Sequence, residues 1–186
     1  MLNNIANRKA ISSIILAPTR ELAIQVHDEL VKLAKYEKLN VVAVYGGAPI
    51  HNQIRDIKKA NIVVGTPGRV LDHIRRGTLP LDSVEFLVLD EADEMLNMGF
   101  IDDMEEIMKS IPEERQTLLF SATMPSQIKK LTKKYLKEDS VHIAIARKEL
   151  TGSTITQNFF EVNNSERFET LCRLIDFDNP SAGIIF

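Results

Sequence analysis

The sequence predicts an α/β protein built on a parallel, doubly wound sheet. Short apolar runs rich in β-branched residues recur along the 186 residues, and their nearly continuous apolar character is typical of strands buried on both faces. Amphipathic stretches with helical spacing separate most of these runs, and this alternation favours a parallel sheet with crossover helices. The predicted strands are residues 13–17, 41–45, 62–65, 86–89, 118–120 and 141–145.

Four stretches carry the apolar stripe of a helix that packs on a sheet. In the first of them the stripe consists of Leu22, Val26, Leu30 and Leu33. The lysines of residues 129–137 are interpreted as a solvated helix face rather than a binding site. The predicted helices are residues 21–35, 70–74, 101–111 and 128–136.

The composition excludes several classes of protein. Hydrophobic residues make up 44% of the chain and charged residues 26%, which is ordinary for a domain with a proper core. The net charge of -3 provides no overall basic field, so any nucleic-acid binding must be local. No apolar run approaches the ~20 residues of a membrane span, and the four histidines lack metal-ligand spacing. The lone Cys172 lies in an apolar pattern, which predicts a buried small hydrophobe and fits a reducing cytoplasm.

The last part of the chain changes character. Residues 151–156 are rich in Ser, Thr and Gly, which is typical of a linker. A predicted strand (156–162), a predicted helix (166–175) and an apolar run (183–186) follow. We therefore expect a first domain over residues 1–147, a linker over 148–155, and the opening βαβ piece of a second, truncated domain over 156–186.

Distinctive residues follow five of the predicted strands. The carboxyl ends of parallel strands meet at one edge of an open α/β sheet, where ligands bind, so we expect these residues to lie together. They are Pro18, Thr19, Arg20 and Glu21; Gly46 and Gly47; Thr66, Pro67, Gly68 and Arg69; Asp90, Glu91 and Asp93; and Ser121 and Thr123.

Two of these groups allow both a chemical and a structural interpretation. Asp90 and Glu91 follow an apolar strand, as do the carboxylates that approach Mg²⁺ and the attacking water in phosphoryl transfer. Acidic residues also stabilise a helix start without any function. Ser121 and Thr123 could contact the neighbouring acidic loop (residues 90–93), or could cap a helix that begins near Pro125.

The remaining three groups are candidates for binding phosphate. Arg20 and Arg69 each lie at the start of a predicted helix, where free backbone amides and a guanidinium attract anions. Gly46 and Gly47 allow a backbone to approach closely because they lack a Cβ. Contacts made to phosphates alone bind nucleic acid without reading its sequence. The alternative is that all three are ordinary caps and turns.

Taken in order, these groups closely resemble the motifs of the DEAD-box ATP-dependent RNA helicases. The resemblance covers essentially the whole chain. It also includes the stretch after the acidic motif and the apolar tail at residues 183–186. The motifs that carry it are Pro-Thr-Arg-Glu-Leu-Ala (18–23), Gly-Gly (46–47), Thr-Pro-Gly-Arg (66–69), Asp-Glu-Ala-Asp (90–93) and Ser-Ala-Thr (121–123).

The resemblance implies a fold and a role for each group. It implies a RecA-like domain of the P-loop NTPase type, with ATP and Mg²⁺ as cofactors and RNA, held by its backbone, as the partner. Asp90 and Glu91 would handle Mg²⁺ and the attacking water, with Glu91 as the general base. Asp93 would join Ser121 and Thr123 and so couple nucleotide state to strand separation. The three phosphate-contacting groups would hold the RNA.

The chain also departs from the family pattern. The phosphate-binding loop Gly-x-x-x-x-Gly-Lys-Ser/Thr and the motifs of the second helicase domain are absent from these residues. We therefore expect the parent to be an RNA-stimulated ATPase and this chain alone to be inactive. A phosphate-backbone binding module with a vestigial ATPase is the alternative. The strand that feeds the missing loop is also absent, so residues 118–120 should lie beside an open position, with 141–145 beyond it and 183–186 as a candidate to fill it.

Overall fold

A computed structural model describes residues 10–145, 156 and 158–185. The chain divides into two compact units, Met1–Val141 and His142–Phe186, and each is described by itself. The predicted linker, residues 148–155, lies outside the described residues. Among the described residues, none of the helices is long and apolar enough to cross a membrane.

The first unit is a five-stranded sheet in which every neighbouring pair of strands is parallel. The strand order is β2-β3-β1-β4-β5. Central strands β1, β3 and β4 are almost wholly buried, which explains their unbroken apolar sequence. The strands are β1 (Ser13–Leu16), β2 (Val41–Val44), β3 (Ile62–Gly65), β4 (Phe86–Leu89) and β5 (Gln116–Leu119).

Helices lie on both faces of this sheet, as the predicted doubly wound fold requires. Alternate residues of β1 enter different cores: Ile14 and Leu16 belong to one cluster, and Ile15 belongs to the other, because successive side chains of a strand point to opposite faces. The helices of this unit are α1 (Arg20–Ala34), α2 (Ile50–Ile57), α3 (Pro67–Arg75), α4 (Ala92–Asn97), α5 (Ile101–Ser110) and α6 (Ser126–Tyr135).

Gly65 lets β3 pass close to its neighbours at the carboxyl edge. A Cβ at this position would lie 2.5 Å from the Val44 side chain, 2.6 Å from the Val44 carbonyl oxygen and 2.7 Å from the Val70 side chain. Any larger residue would push β2 and α3 away from β3. The spacing between the loops that follow β2 and β3 therefore depends on this glycine.

Several sequence-based expectations are wrong in detail. Helices α2 and α4 were not predicted, and β5 begins two residues earlier than expected. Leu33, placed on the apolar stripe of α1, is 61% exposed, because α1 buries Ala23 and Ala34 instead.

The predicted strand at 141–145 is also wrong. Val141, Ile143 and Ile145 are more than 80% exposed and lie outside any strand. No described strand pairs with them, and an extended segment without a hydrogen-bonded neighbour is not stable as a strand. Strand β5 is accordingly an edge strand with β4 as its one partner among the described residues.

The second unit contains α7 (Arg167–Asp178), preceded by a 3-10 turn at Asn164–Glu166. The predicted strand at 156–162 is not formed by residues 156 and 158–162, and residues 183–185 are not in a strand either. The described part of the apolar tail, predicted as a strand to fill the open position, therefore forms no strand. Cys172 is half-buried rather than buried, because α7 has no buried residue.

Candidate functional site

The loops that follow all five strands meet at the carboxyl edge of the sheet. Every strand runs in the same direction, so each predicted site group comes to this edge, as expected from parallel pairing. Backbone hydrogen bonds continue the pairing of the strands into the loops. They run from Ala17 N to Gly65 O (3.0 Å), Thr66 N to Val44 O (3.1 Å), Asp90 N to Leu16 O (2.9 Å) and Phe120 N to Leu89 O (2.8 Å).

The acidic loop presents two carboxylates, Asp90 and Glu91, that have no partner among the residues the structure describes. Asp90 is half-buried and Glu91 is exposed. Glu91 occupies the N-cap position of α4, but its side chain makes no capping hydrogen bond. Within the described part of the chain, neither carboxylate takes part in a hydrogen bond or an ion pair. Helix capping by these side chains is therefore not what the structure shows.

The backbone of Glu91 adopts an unusual conformation. Its φ of 49° and ψ of 53° lie in the left-handed region, which disfavours residues with a Cβ. The loop leaves β4 and enters α4 within this short turn. The turn brings Asp93 into the first turn of α4 and leaves Glu91 at the surface.

Asp93 is joined to the loop after β5. Its Oδ2 accepts hydrogen bonds from Thr123 Oγ1 (2.6 Å) and from the Thr123 backbone N–H (2.8 Å). The Asp93 backbone N–H donates to Ser121 Oγ (3.2 Å), and that hydroxyl donates to the Thr123 carbonyl oxygen (2.6 Å). Helix α6 begins later, at Ser126, after an N-cap at Pro125. Ser121 and Thr123 therefore contact the acidic loop and do not cap α6.

These contacts change the acidity of Asp93. Partial burial acts to raise the pKa of its carboxyl, but hydrogen bonds from the Thr123 side chain and from the backbone of Thr123 and Ala122 outweigh it and lower the pKa to about 2. Hydrogen bonds donated to a carboxylate favour its charged form. Asp93 is therefore ionised at neutral pH and holds the neighbouring loop as an anion.

The segment 66–69 begins α3, and its arginine is held inside the protein. The Arg69 side chain is 17% exposed. Its Nη1 donates to the Ala48 carbonyl oxygen (3.0 Å) and to Gln53 Oε1 (3.3 Å). In the same segment Pro67 is buried and Gly68 is exposed. Arg69 thus contacts the loop that contains Gly46 and Gly47, hereafter the glycine loop.

Arg20 differs because it is exposed. Its guanidinium lies over the Tyr45 ring, 4.9 Å from the centroid. Thr19 caps α1 by accepting a hydrogen bond from the Leu22 backbone N–H (3.2 Å), so the capping interpretation holds for that residue. Gly47 has a φ of 80°, and a Cβ there would lie 3.9 Å from Arg20 Nη1. The exposed arginine therefore lies beside the glycine loop.

Sequence reasoning missed three residues that support these loops. Tyr45 stacks under Arg20, and the buried side chains of Gln53 and His73 contact each other (3.0 Å). Gln53 lies on α2, which was not predicted as a helix. No spacing in the sequence marks it, since a buried glutamine is recognisable only from the carbonyl oxygens that surround it.

The acidic loop fits a shared rather than an independent metal site. Among the described residues, no cluster of three or more His, Cys, Asp or Glu side chains could hold a metal ion. Mg²⁺ is commonly bound by one or two carboxylates together with substrate phosphates. Asp90 and Glu91 supply such carboxylates, so the donor set fits Mg²⁺ bound together with a nucleotide.

Comparison with known proteins agrees with this geometry. The profile of the family described as DEAD/DEAH box helicase matches residues 1–131. The chain is 55% identical over 177 residues to the ATP-dependent RNA helicase CshA of Listeria monocytogenes, covering 95% of this chain and 34% of that protein. It is 48% identical over 184 residues to the DEAD-box ATP-dependent RNA helicase CshA of Geobacillus kaustophilus, covering 98% and 39%.

Solved structures give the same result. The crystal structure of a DEAD box protein from Methanococcus jannaschii has a TM-score of 0.71 and 53% identity, and the match covers 90% of this chain and 45% of that one. A hypothetical ATP-dependent RNA helicase from Sulfolobus tokodaii has a TM-score of 0.67 and 40% identity over 74% and 41%.

The parallel sheet and these structural neighbours define a RecA-like α/β domain, as the sequence predicted. The chain belongs to the DEAD/DEAH box helicase family. It spans about a third of the length of the curated relatives it matches.

Proposed function

We propose that this chain belongs to an ATP-dependent RNA helicase that couples ATP binding and hydrolysis to local unwinding of RNA duplexes or remodelling of RNA–protein complexes. The observation that carries this proposal is the Asp93 contact with Thr123. It joins the acidic loop, which suits nucleotide chemistry, to the loop of a different strand.

In the proposed mechanism Asp90 and Glu91 face the nucleotide. Mg²⁺ bound with ATP would neutralise phosphate charge and leave the transferred phosphoryl group open to attack. Glu91 accepts the proton of the attacking water through its carboxylate, and its exposure leaves that carboxylate open to the nucleotide side. Asp90 would hold the Mg²⁺ that binds together with the nucleotide.

Asp93 carries the nucleotide state to the loop of Ser121 and Thr123. Any displacement of the acidic loop on binding or losing the nucleotide acts directly on the hydrogen bonds that Thr123 donates to Asp93. The loop of Ser121 and Thr123 then moves with α4. Asp93, Ser121 and Thr123 therefore have a coupling role, since none of them is assigned a contact with the reacting atoms.

RNA binding is assigned to the edge of the sheet near β1, β2 and β3. Arg20, the Gly46–Gly47 backbone and the segment that contains Arg69 offer one exposed guanidinium and helix N-terminal amides to phosphates. Such contacts would bind RNA without strong sequence preference. We place this activity in the cytoplasm, in agreement with a single cysteine that has no disulfide partner in the chain.

RNA-stimulated ATP hydrolysis tests the proposal. A version of the protein extended to the length of its CshA relatives should release phosphate faster when RNA is added. The 186-residue chain should release none above background, because it contains no lysine-bearing phosphate loop. If RNA does not stimulate the extended protein at any concentration, the helicase proposal fails in favour of a binding module with a vestigial ATPase.

A further inference from the structure

A buried polar network lies beneath two of the elements assigned to RNA, the Gly46–Gly47 loop and the start of α3. Gln53 is at the centre of this network. Gln53 is 6% exposed. Its Nε2 donates to the Tyr45 carbonyl oxygen (3.0 Å). Its Oε1 faces Arg69 Nη1 at 3.3 Å and His73 Nε2 at 3.0 Å. Both polar atoms of the amide are therefore used.

Gln53 and its partner Arg69 hold opposite ends of the glycine loop. Tyr45 comes directly before the glycine pair, and its carbonyl oxygen is held by Gln53. Ala48 comes directly after the pair, and its carbonyl oxygen is held by Arg69 (3.0 Å). Because Gln53 also contacts Arg69, one amide connects both ends of the loop to the start of α3.

The orientation of this amide is fixed by its neighbours. An amide oxygen can only accept, so the arginine and His73 must both donate to Gln53 Oε1, and His73 must carry hydrogen on Nε2. Turning the amide over would place Oε1 against the Tyr45 carbonyl oxygen and the NH₂ group against the arginine. Only an amide of this length satisfies the three contacts, because glutamate lacks the donor and methionine lacks both donor and acceptor.

We propose that Gln53 is a positioning residue for RNA binding, which sets the distance between the Gly46–Gly47 loop and the N-terminus of α3. The inference rests on the proposed RNA-binding role of these two elements. Gln53 is buried and does not contact RNA itself. Phosphates along an RNA strand have a limited range of spacings, so two phosphate-contacting elements bind together only when their separation is held.

The decisive variants are Gln53→Met and Gln53→Glu. Gln53→Met removes every contact of the amide at similar size, whereas Gln53→Glu keeps the acceptor for Arg69 and His73 and loses the donor to Tyr45. Gln127→Met is the matched control, because Gln127 is an exposed helical glutamine outside the proposed machinery. All are compared in the extended protein.

Two measurements separate positioning from a general loss of structure. In RNA-stimulated ATP hydrolysis, Gln53→Met should raise the KM for RNA about tenfold, as loss of a charge-assisted hydrogen bond would. The kcat at saturating RNA and the Kd for ATP without RNA should match those of the control. Gln53→Glu should fall between wild type and Gln53→Met. Amide hydrogen exchange of residues 46–48 should be faster in both variants than in the control.

Other results would overturn the inference. A folded Gln53→Met protein with an unchanged KM for RNA removes Gln53 from the binding machinery, as does unchanged exchange at 46–48. If Gln53→Met does not fold, Gln53→Glu decides by the same criteria. If wild type does not bind RNA, the proposed function fails, while hydrogen exchange still tests whether Gln53 holds the loop.

Discussion

The two halves of the carboxyl edge are built differently. At the acidic loop, Asp93 reaches the loop after β5 through hydrogen bonds near the surface. At the glycine loop, Arg69 and Gln53 hold the backbone through contacts with little exposure. Hydrogen bonds near the surface can be replaced by hydrogen bonds to water at little cost in free energy, whereas breaking buried hydrogen bonds leaves polar groups unsatisfied. The acidic half is suited to movement, and the half assigned to RNA is suited to remaining fixed.

Each half also pairs a group that holds a loop with a group that is open to a ligand. In the acidic half, Asp93 holds the loop after β5, and Glu91 is exposed to a ligand. In the other half, Arg69 holds the glycine loop, and Arg20 is exposed to a ligand. The difference between holding and open groups is visible in the structure but not in the sequence, where both arginines follow a strand and begin a helix. The following predictions test this division.

The largest effect is expected at the open carboxylate. In the extended protein, Glu91→Gln keeps the size of the side chain and loses the base, so turnover should fall by ~10²-fold or more. Binding of ATP and RNA should survive, because the Glu91 side chain makes no hydrogen bond or ion pair that holds the loop within the described part of the chain. Steady-state phosphate release and equilibrium binding measure the two separately. Near-normal turnover would remove Glu91 from the mechanism.

A second experiment should distinguish the role of Arg20 from that of Arg69. Arg20→Ala should weaken RNA binding equally across sequences and reduce its salt dependence by about one counterion, with a loss of stability of at most about 1 kcal/mol from the contact with Tyr45. Arg69→Ala should also weaken binding without sequence preference, but it should cost about 1.5–3 kcal/mol of stability, since charge-assisted hydrogen bonds are lost.

RNA titrations at several salt concentrations and urea unfolding distinguish the two variants. Arg55→Ala is a suitable control, because Arg55 is exposed and, among the residues described, pairs only with its neighbour Asp56 at 3.0 Å. A loss that depends on RNA sequence would indicate base contacts. Equal stability of the two variants would mean that Arg69 does not hold the loop.

A third prediction concerns pH in the half assigned to RNA. Burial, and then the charge of Arg69, lower the pKa of His73 below 6.5, so the folded protein binds this proton less readily than the unfolded chain. The contribution to stability is complete above pH 6.5 and is lost as the pH falls below it. Urea midpoints between pH 7.5 and 5.5 should decrease in wild type and decrease less in His73→Gln. Equal slopes would contradict this.

The smallest effect is expected at Asp93. Its pKa of about 2, against 3.8 for an ordinary aspartate, means that its contribution to stability is present above pH 3.8 and is lost as the pH falls through about 2. Because Asp93 is partly exposed, we expect at most about 1 kcal/mol. The difference in urea midpoint between wild type and Asp93→Asn should be constant above pH 5 and shrink below pH 4. A constant difference down to pH 2 would contradict the assignment.

The sequence predicted the parts of the fold that depend on local pattern. The strands 62–65 and 86–89 match β3 and β4, because wholly buried strands need unbroken apolar runs. The segment 141–145 has the same pattern but no partner among the described strands. Strand formation depends on a neighbour in space, and no local pattern reports whether one exists.

The candidate site was predicted as a set of residues but not as a network. Parallel topology alone places Arg20, Asp90 and Thr123 at one edge. Which groups hold and which are open depends on contacts between distant positions, such as that of Gln53 with Tyr45. A buried glutamine on a short helix has no signature in one sequence, since its role is defined by carbonyl oxygens that every residue carries.

The left-handed backbone of Glu91 has a consequence for protein engineering. A residue with a Cβ in this conformation costs on the order of 1 kcal/mol relative to glycine. A screen that selects only for thermal stability should therefore favour Glu91→Gly and so enrich for proteins that have lost the proposed base. Stabilising libraries for this family are best scored on turnover at this position, because heat resistance and catalysis select different residues there.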